Sequence, residues 1–469
     1  MLRNSLNNLR AAPDYRFWLL MAILATALAL RLAHALPQDH LVVYEQAGGD
    51  SWWYLEYGRL LVVSQEPTSP PSGPLYLLFV GLPQHLLPPA AAVMAVRVLQ
   101  AFIGAATCYV VYRLALAVSR DARAGLIAAG ALAIAPSFVI EPSLILTETL
   151  YMFLLATGLW VYLRGCGLEL PANRANPRAL ALAGGLLGLA ALTRAALLLF
   201  PLGLALHLLL LFGWRRGLRP AALLLAVYIL VVSTWTVYNL ARWNRVVIGA
   251  QGLAAFLYLG AQDGGWSGPE ATDQSLAQQA GVEDNFPTEP DEQQALYREA
   301  AARIIMSDPL GYVQKRVQEL AAAYLQPHGT LFYGGPSLRE LAADWLGSDR
   351  TPAGLLRLAQ TESFWPKLAV YGFHYAGLLL GLAGLWLTRR AWRAALPLAG
   401  FILYTTLVHL ALDAIPRYIF PTMPVWWIFA GIALAQLWDA VRRERAPVQA
   451  MNGFSSSHHT SAPVKPQRR

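Results

Sequence analysis

The stretch Ala47-Gly48-Gly49-Asp50-Ser51-Trp52-Trp53-Tyr54-Leu55-Glu56-Tyr57 sets a carboxylate at the head of an aromatic, amphipathic segment. Asp50, Tyr54 and Tyr57 recur at i, i+4 and i+7, so a helix here carries an acid and two phenols on one face. Such a segment lies in a membrane interface rather than crossing it. Asp50 then reads as the reactive carboxylate of a membrane enzyme that uses a lipid-borne substrate. The competing reading is that Asp50 caps a helix beginning at Ser51, since Asp is a favoured N-cap residue.

Charge at the rim of apolar segments is costly and needs a reason. Five further positions have that character: Glu141, Glu148, Arg194, Asp413 and Arg417. Each alone could be a long side chain reaching for water at a helix end. Together with Asp50 they form a polar basin on one face of the membrane. Guanidinium groups beside a lipid headgroup suit a phosphate, which they grip with paired N–H donors. A carboxylate next to them suits the reaction that breaks the bond to that phosphate.

The elements that must position these residues are membrane spans. Of the 469 residues, 14% are charged, against the roughly 25% of a soluble domain. Mean hydropathy is +0.41. Apolar runs occur at Phe17–Leu36, Ala90–Arg113, Ala124–Ile140, Leu144–Leu163, Ala179–Thr193, Ala195–Phe212, Ala221–Leu240, Leu368–Leu387, Ala394–Leu412 and Pro416–Leu437. They predict an all-α polytopic membrane protein with about ten transmembrane helices. Phe17–Leu36 is too long for a signal-peptide core and reads as an uncleaved first helix.

Every second connection is rich in arginine, and those connections together with the two termini hold 21 of the 36 basic residues. The positive-inside rule then places both termini in the cytoplasm and Asp50 outside. The expected organisation is a cytoplasmic N-terminus over 1–16 and a catalytic transmembrane module over 17–240, with a first periplasmic loop at 37–89. A large periplasmic cap follows over 241–366, then C-terminal spans over 367–438 and a disordered cytoplasmic tail over 439–469. In the first loop, Gly73 to Pro83 is apolar but too short to span, and Pro83, Pro88 and Pro89 should break it. The large loop holds 15 of the 28 acids and promises helices over Glu292–Ser307 and Tyr312–Leu325, with Asp308-Pro309 as a stop between them. Cys108 and Cys166 lie in or beside apolar spans, so no disulfide framework is expected, and nothing in the pattern points to nucleic acid.

At this point the chain resembles the GT-C glycosyltransferases, in the bacterial branch related to protein O-mannosyltransferases and the lipid A aminoarabinose transferases. The resemblance rests on an ordered set of motifs: Gly49-Asp50-Ser51-Trp52-Trp53-Tyr54, Gly73-Pro74-Leu75-Tyr76, Arg97 opening a span, Leu146-Thr147-Glu148-Thr149-Leu150, Leu192-Thr193-Arg194 and Pro416-Arg417-Tyr418. Tyr238-Asn239-Leu240-Ala241-Arg242 matches the re-entry into the large loop. Many members have two prolines before the Leu-Tyr pair, preceded by a basic residue; here Gly73-Pro74 follows Pro71-Ser72.

The resemblance implies a polyprenyl-phosphate-linked sugar donor in the plasma membrane, used on the periplasmic side. One sugar would pass with inversion to an acceptor that is a glycan, lipid or protein. Asp50 would be the base for a hydroxyl acceptor, or would position one already ionised. Arg194 and Arg417, with Arg97 or Arg242, would hold the leaving lipid phosphate. Tyr418 and Tyr54 would line the substrate, and Glu148 and Glu141 would position the acceptor or hold a divalent cation. Some relatives use a metal and others do not, and no ligand cluster here decides it; His40 and His85 read as solvated loop histidines.

Two other classes fit the same shape: a polyisoprenoid-lipid flippase or other transporter, and a polysaccharide polymerase or ligase. Transporters carry charge mid-span and paired repeats. Here the mid-spans read as bare and the charges gather on one leaflet, which favours surface chemistry. The early Asp loop argues against the polymerases.

Overall fold

A computed structural model describes residues 15–45, 49–64, 73–168, 175–250, 252–262, 269–282, 287, 290–348 and 350–454. The expectations for the first 14 residues, for Pro71-Ser72 and for the chain beyond Phe454 lie outside them. All regular structure among the described residues is helical.

The membrane part begins with α1 (Tyr15–Ala35). The first loop supplies α2 (Asp50–Arg59), extended by a π turn over Leu60–Ser64, and α3 (Pro74–Leu86). Next come α4 (Pro89–Ser119), α5 (Ala122–Ile134), α6 (Glu148–Gly165), α7 (Pro177–Thr193), α8 (Phe200–Phe212) and α9 (Trp214–Trp243). The large loop that follows folds as α10 (Leu253–Ala261), α11 (Pro269–Ala280), α12 (Pro290–Ser307), α13 (Pro309–Leu325), α14 (Leu338–Ser348) and α15 (Pro352–Ala359). The chain closes with α16 (Phe364–Leu387), α17 (Trp392–Ala411) and α18 (Met423–Phe454).

Six stretches are long and apolar enough to cross a membrane: Tyr15–Ala35, Pro89–Ser119, Ala195–Phe212, Trp214–Trp243, Phe364–Ala411 and Pro416–Arg442. A seventh is the pair Ala122–Ile134 and Pro136–Ser143, bent by 65°. Length and composition thus give six or seven spans among the described residues where the sequence suggests about ten. The difference has identifiable sources. Phe364–Ala411 counts once but contains both α16 and α17, α7 is apolar but short, and α6 carries Glu148 and Arg164 at its ends.

Two local expectations are corrected. Pro83 does not break the short apolar run: it lies inside α3, and its carbonyl accepts from the Leu87 amide. The last helix does not stop at Leu437 but continues to Phe454, through the first part of the expected tail.

Within the bundle α4 packs against α1, α5 and α6, α18 lies against α5 and α16, and α7 lies between α6 and α9. Lipid offers no hydrophobic drive to join helices, so close contact depends on small residues. Gly384 of α16 rests on the backbone of Phe429 in α18, and Gly184 of α7 on the Leu224 carbonyl in α9, where a side chain would collide. The same device acts at the first loop. Gly73 meets the carbonyls of Leu192 and Thr193, which seats the start of α3 against the turn that carries Arg194.

The loop helices have a small core of their own, with Tyr258, Leu276, Tyr297 and Ala301 buried together. The Tyr297 hydroxyl donates to Asp273. The sequence signal at Asp308-Pro309 acts as expected: Asp308 caps α13 by accepting from the Gly311 amide at 2.9 Å.

Candidate active site

Glu148 is the first residue of α6 and is fully buried. A lone carboxylate there would be prohibitively costly, so it must be paired. Its Oε1 accepts from Arg194 Nη1 at 2.6 Å and from Arg417 Nε at 2.5 Å. Its Oε2 accepts from Arg417 Nη2 at 3.3 Å and from Thr147 Oγ1 at 3.2 Å. Arg417 reaches onward with Nη1 to the Asp50 carboxylate. Two arginines and two acids, separated by up to 367 positions in the chain, thus form one connected quartet.

The two acids differ in access. The Asp50 side chain is 50% exposed while that of Glu148 is closed off. Helix α2 begins at Asp50 itself, with Gly49 as its N-cap and no side-chain cap bond. The capping role is therefore not the one the Asp50 side chain plays; its partner is Arg417.

Aromatic residues wall the quartet. The Arg194 guanidinium lies 5.3 Å from the Tyr418 ring and 5.8 Å from the Tyr151 ring, distances at which cation–π attraction operates. Tyr418 stacks on His409 at 5.1 Å. A cavity beside the quartet is lined by Tyr151, Arg194, Thr405, His409 and Tyr418. On the other side Tyr54 meets Tyr76 edge-on at 5.0 Å. Burial pushes the Tyr54 phenol above its ordinary range, opposed by the Arg417 charge, so the group stays protonated.

The linker that delivers Glu148 is fastened from α4. Gln100 Nε2 donates to the carbonyls of Pro142 at 3.0 Å and Leu144 at 2.6 Å, and its Oε1 accepts from the Tyr76 hydroxyl at 2.9 Å. Tyr54, Tyr76 and Gln100 so connect the helix of Asp50 to the linker of Glu148.

Other candidates fall elsewhere. Arg97 is buried and holds the same linker, donating from Nε to the Ser143 carbonyl at 2.8 Å, and lies 2.6 Å from His40 Nδ1. Arg242 is exposed and rests over Trp243 at 4.9 Å. Glu141 pairs with His328 of the large loop at 2.8 Å, and its Oε1 has no hydrogen-bond partner among the described residues. Asp413 receives His409 Nδ1 on its backbone carbonyl at 2.9 Å, and burial raises its carboxyl. Among the described residues no three His, Cys, Asp or Glu side chains gather as metal ligands.

Sequence reasoning gave no site role to Tyr151, His409 or Gln100, and used Tyr76 only as part of the Gly73-Pro74-Leu75-Tyr76 motif. An amide inside an apolar span was the available signal for Gln100. It also passed over Arg31, which lies four residues before the end of α1 at Ala35. Arg31 is buried within α1 and donates to the carbonyls of Ala27, Leu132 and Ala133.

Comparison with known proteins adds the following. Residues 77–249 match the family model for dolichyl-phosphate-mannose-protein mannosyltransferase. No curated protein matches the chain. The fold is similar to the oligosaccharyltransferase of Archaeoglobus fulgidus tethered with an acceptor peptide. The TM-score is 0.53 at 15% identity, over 93% of this chain and 51% of that one. The apo form of that protein gives 0.49 at 17% identity, over 92% and 52%. ArnT from Cupriavidus metallidurans bound to undecaprenyl phosphate gives 0.37 at 15% identity, over 88% and 77%. The chain spans about half the length of the archaeal protein it resembles. The chain is thus a multi-pass membrane protein whose residues 77–249 match the mannosyltransferase family model and whose fold is similar to that of the archaeal oligosaccharyltransferase.

Proposed function

We propose that this protein is a plasma-membrane glycosyltransferase that moves a sugar from a polyprenyl-phosphate-linked donor to an acceptor on the periplasmic side. The observation that carries this reading is the convergence of Arg194 and Arg417 on one buried acid, with a half-exposed Asp50 at the end of the chain of contacts. The arginines supply donors suited to a phosphate, and the family model that matches residues 77–249 is named for a polyprenyl-phosphate sugar. The alternating arginine clusters support an outward-facing site with both termini in the cytoplasm.

In the proposed reaction the acceptor hydroxyl attacks the anomeric carbon as Asp50 takes its proton. The new bond is acceptor oxygen to sugar carbon. The bond that breaks joins that carbon to the phosphate oxygen, and its electron pair leaves with the lipid phosphate. One displacement inverts the anomeric centre. Arg417 and Arg194 face the charge that gathers on the leaving group. Glu148 has both oxygens engaged, so its part is to hold the two guanidiniums in place rather than to move a proton.

The test is turnover of undecaprenyl-phosphate-linked mannose by the purified protein in nanodiscs, with native cell-envelope membranes as acceptor source. Release of undecaprenyl phosphate together with sugar on the envelope fraction marks a transferase. Vectorial movement of the intact donor across liposomes without release would mark a flippase instead.

A further inference from the structure

Helix α13 has the polarity of a membrane helix although it belongs to the large loop. Its exposed large side chains, Leu310, Val313, Val317 and Leu325, are 79%, 56%, 53% and 60% exposed. They recur at helical spacing and form one stripe. Its other exposed residues, Gln314, Gln318, Ala321 and Ala322 among them, are uncharged. The charged residues lie on the opposite side of the helix, where the Lys315 and Glu319 side chains are 22% and 35% exposed. Arg316 is buried, donating to the His409 carbonyl at 2.8 Å, the Leu410 carbonyl at 3.2 Å and the Glu319 carboxylate. Lys315 donates to the carbonyls of Ala261 and Gln262. A helix that faces water has the reverse arrangement.

The depth of α13 follows from what it touches. Near its start the Tyr312 hydroxyl donates to the Ala411 carbonyl at 3.2 Å, at the outer end of α17. Near its end the Tyr324 hydroxyl lies 2.6 Å from Thr406 Oγ1. Helix α17 has 20 residues, about the length that spans a hydrocarbon core roughly 30 Å thick, so its end at Ala411 lies close to the boundary of that core. Thr406 therefore sits about 8 Å below the outer boundary at 1.5 Å per residue. Deeper contacts agree: the Tyr324 carbonyl lies 2.7 Å from His374 Nε2 and the Leu325 carbonyl accepts from the Tyr375 hydroxyl at 2.6 Å, both well inside α16. On the α17 turns around Thr406, Leu403 and Leu407 are 59% and 53% exposed, so the stripe of α13 continues a surface that already faces lipid.

We propose that α13 is inserted into the outer leaflet, with its Leu310–Leu325 stripe against acyl chains. The depth matches the roughly 5–10 Å at which interfacial helices bury their apolar face. The inference requires only that the chain spans a membrane and is independent of the proposed reaction. It also makes lipid a neighbour of the site, because the carbonyl that Arg316 holds belongs to His409, the ring stacked on Tyr418.

The experiment uses the full chain in nanodiscs of phosphatidylethanolamine and phosphatidylglycerol. Nitroxides are attached at V313C and V317C, at L407C as the lipid reference and at E299C as the water reference. Collision with oxygen is compared with collision with a water-soluble nickel chelate. The expected oxygen-to-nickel ratio at V313C and V317C equals that of L407C and is several-fold above that of E299C. A ratio equal to that of E299C overturns the proposal. So does dipolar broadening at both stripe sites that disappears on dilution with unlabelled protein, which would assign the stripe to a second copy. Two stripe positions guard against one variant failing to fold.

Discussion

Replacement of Asp50 by Asn separates the chemical role of this carboxylate from its structural one. The structural cost can be bounded from its contacts. Asp50 makes one ion pair, with Arg417, from a side chain that is 50% exposed. Pairs of that exposure contribute about 0–1 kcal/mol. Charge at the first turn of α2 adds about 0.3–1 kcal/mol through the helix dipole. Asn retains the size and an acceptor oxygen, so the folded state should lose no more than about 1–2 kcal/mol. The kinetic cost is far larger if Asp50 is the base, about 10²–10⁴-fold in turnover. The geometry adds a second expectation. Without the Asp50 charge, Arg417 has one fewer anionic partner and is more available to a phosphate. Donor affinity should therefore hold or improve while turnover falls. The assay is single-turnover release of undecaprenyl phosphate from the mannosyl donor over a donor titration, with a thermal melt in parallel. Near-normal turnover with a normal melt would refute the base assignment. Weakened donor binding at unchanged turnover would instead make Asp50 a binding group.

Three further outcomes are expected. Arg194→Ala and Arg417→Ala should each weaken donor binding by about 1.5–3 kcal/mol, roughly 10- to 150-fold, as charge-assisted contacts are lost; unchanged affinity in both would return them to structural pairing only. Glu148→Ala should destabilise by about 3–5 kcal/mol because two largely enclosed guanidiniums lose their shared partner, and a melt unchanged from wild type would contradict the pairing described above. Cysteines at Glu299 and Ser456 should react with impermeant reagents from opposite sides of the membrane, and labelling of both from one side would reverse the topology.

Much of the site was legible in the sequence because charge is rare in apolar surroundings. Asp50, Glu148, Arg194 and Arg417 each stood at the rim of a span, and spans of matched length bring rims together. What could not be read is which rim residue turns toward which neighbour. Arg97 and Glu141 looked equivalent to the quartet, yet Arg97 faces the linker carbonyl of Ser143 and Glu141 faces His328. Those choices depend on helix rotation and on a loop residue distant in sequence. Helix existence was similarly clear, with the α12 and α13 division falling at Asp308-Pro309 as expected. Pro83 was misjudged because it removes one internal hydrogen bond from α3, which ends only three residues later at Leu86.

The quartet has a net charge of zero: two guanidiniums offset two carboxylates. On the proposed reaction this has a consequence for the departure of the product. A donor phosphodiester brings one negative charge, and the leaving lipid phosphate approaches two at neutral pH. While Asp50 holds the acceptor's proton, the quartet is one unit more positive, and the sum over site and ligand does not change as the bond breaks. Once Asp50 gives that proton to water, the arginines regain their carboxylate and the dianion loses its counter-charge. On that reaction, return of Asp50 to the carboxylate would leave the lipid phosphate facing a neutral quartet, which favours its release.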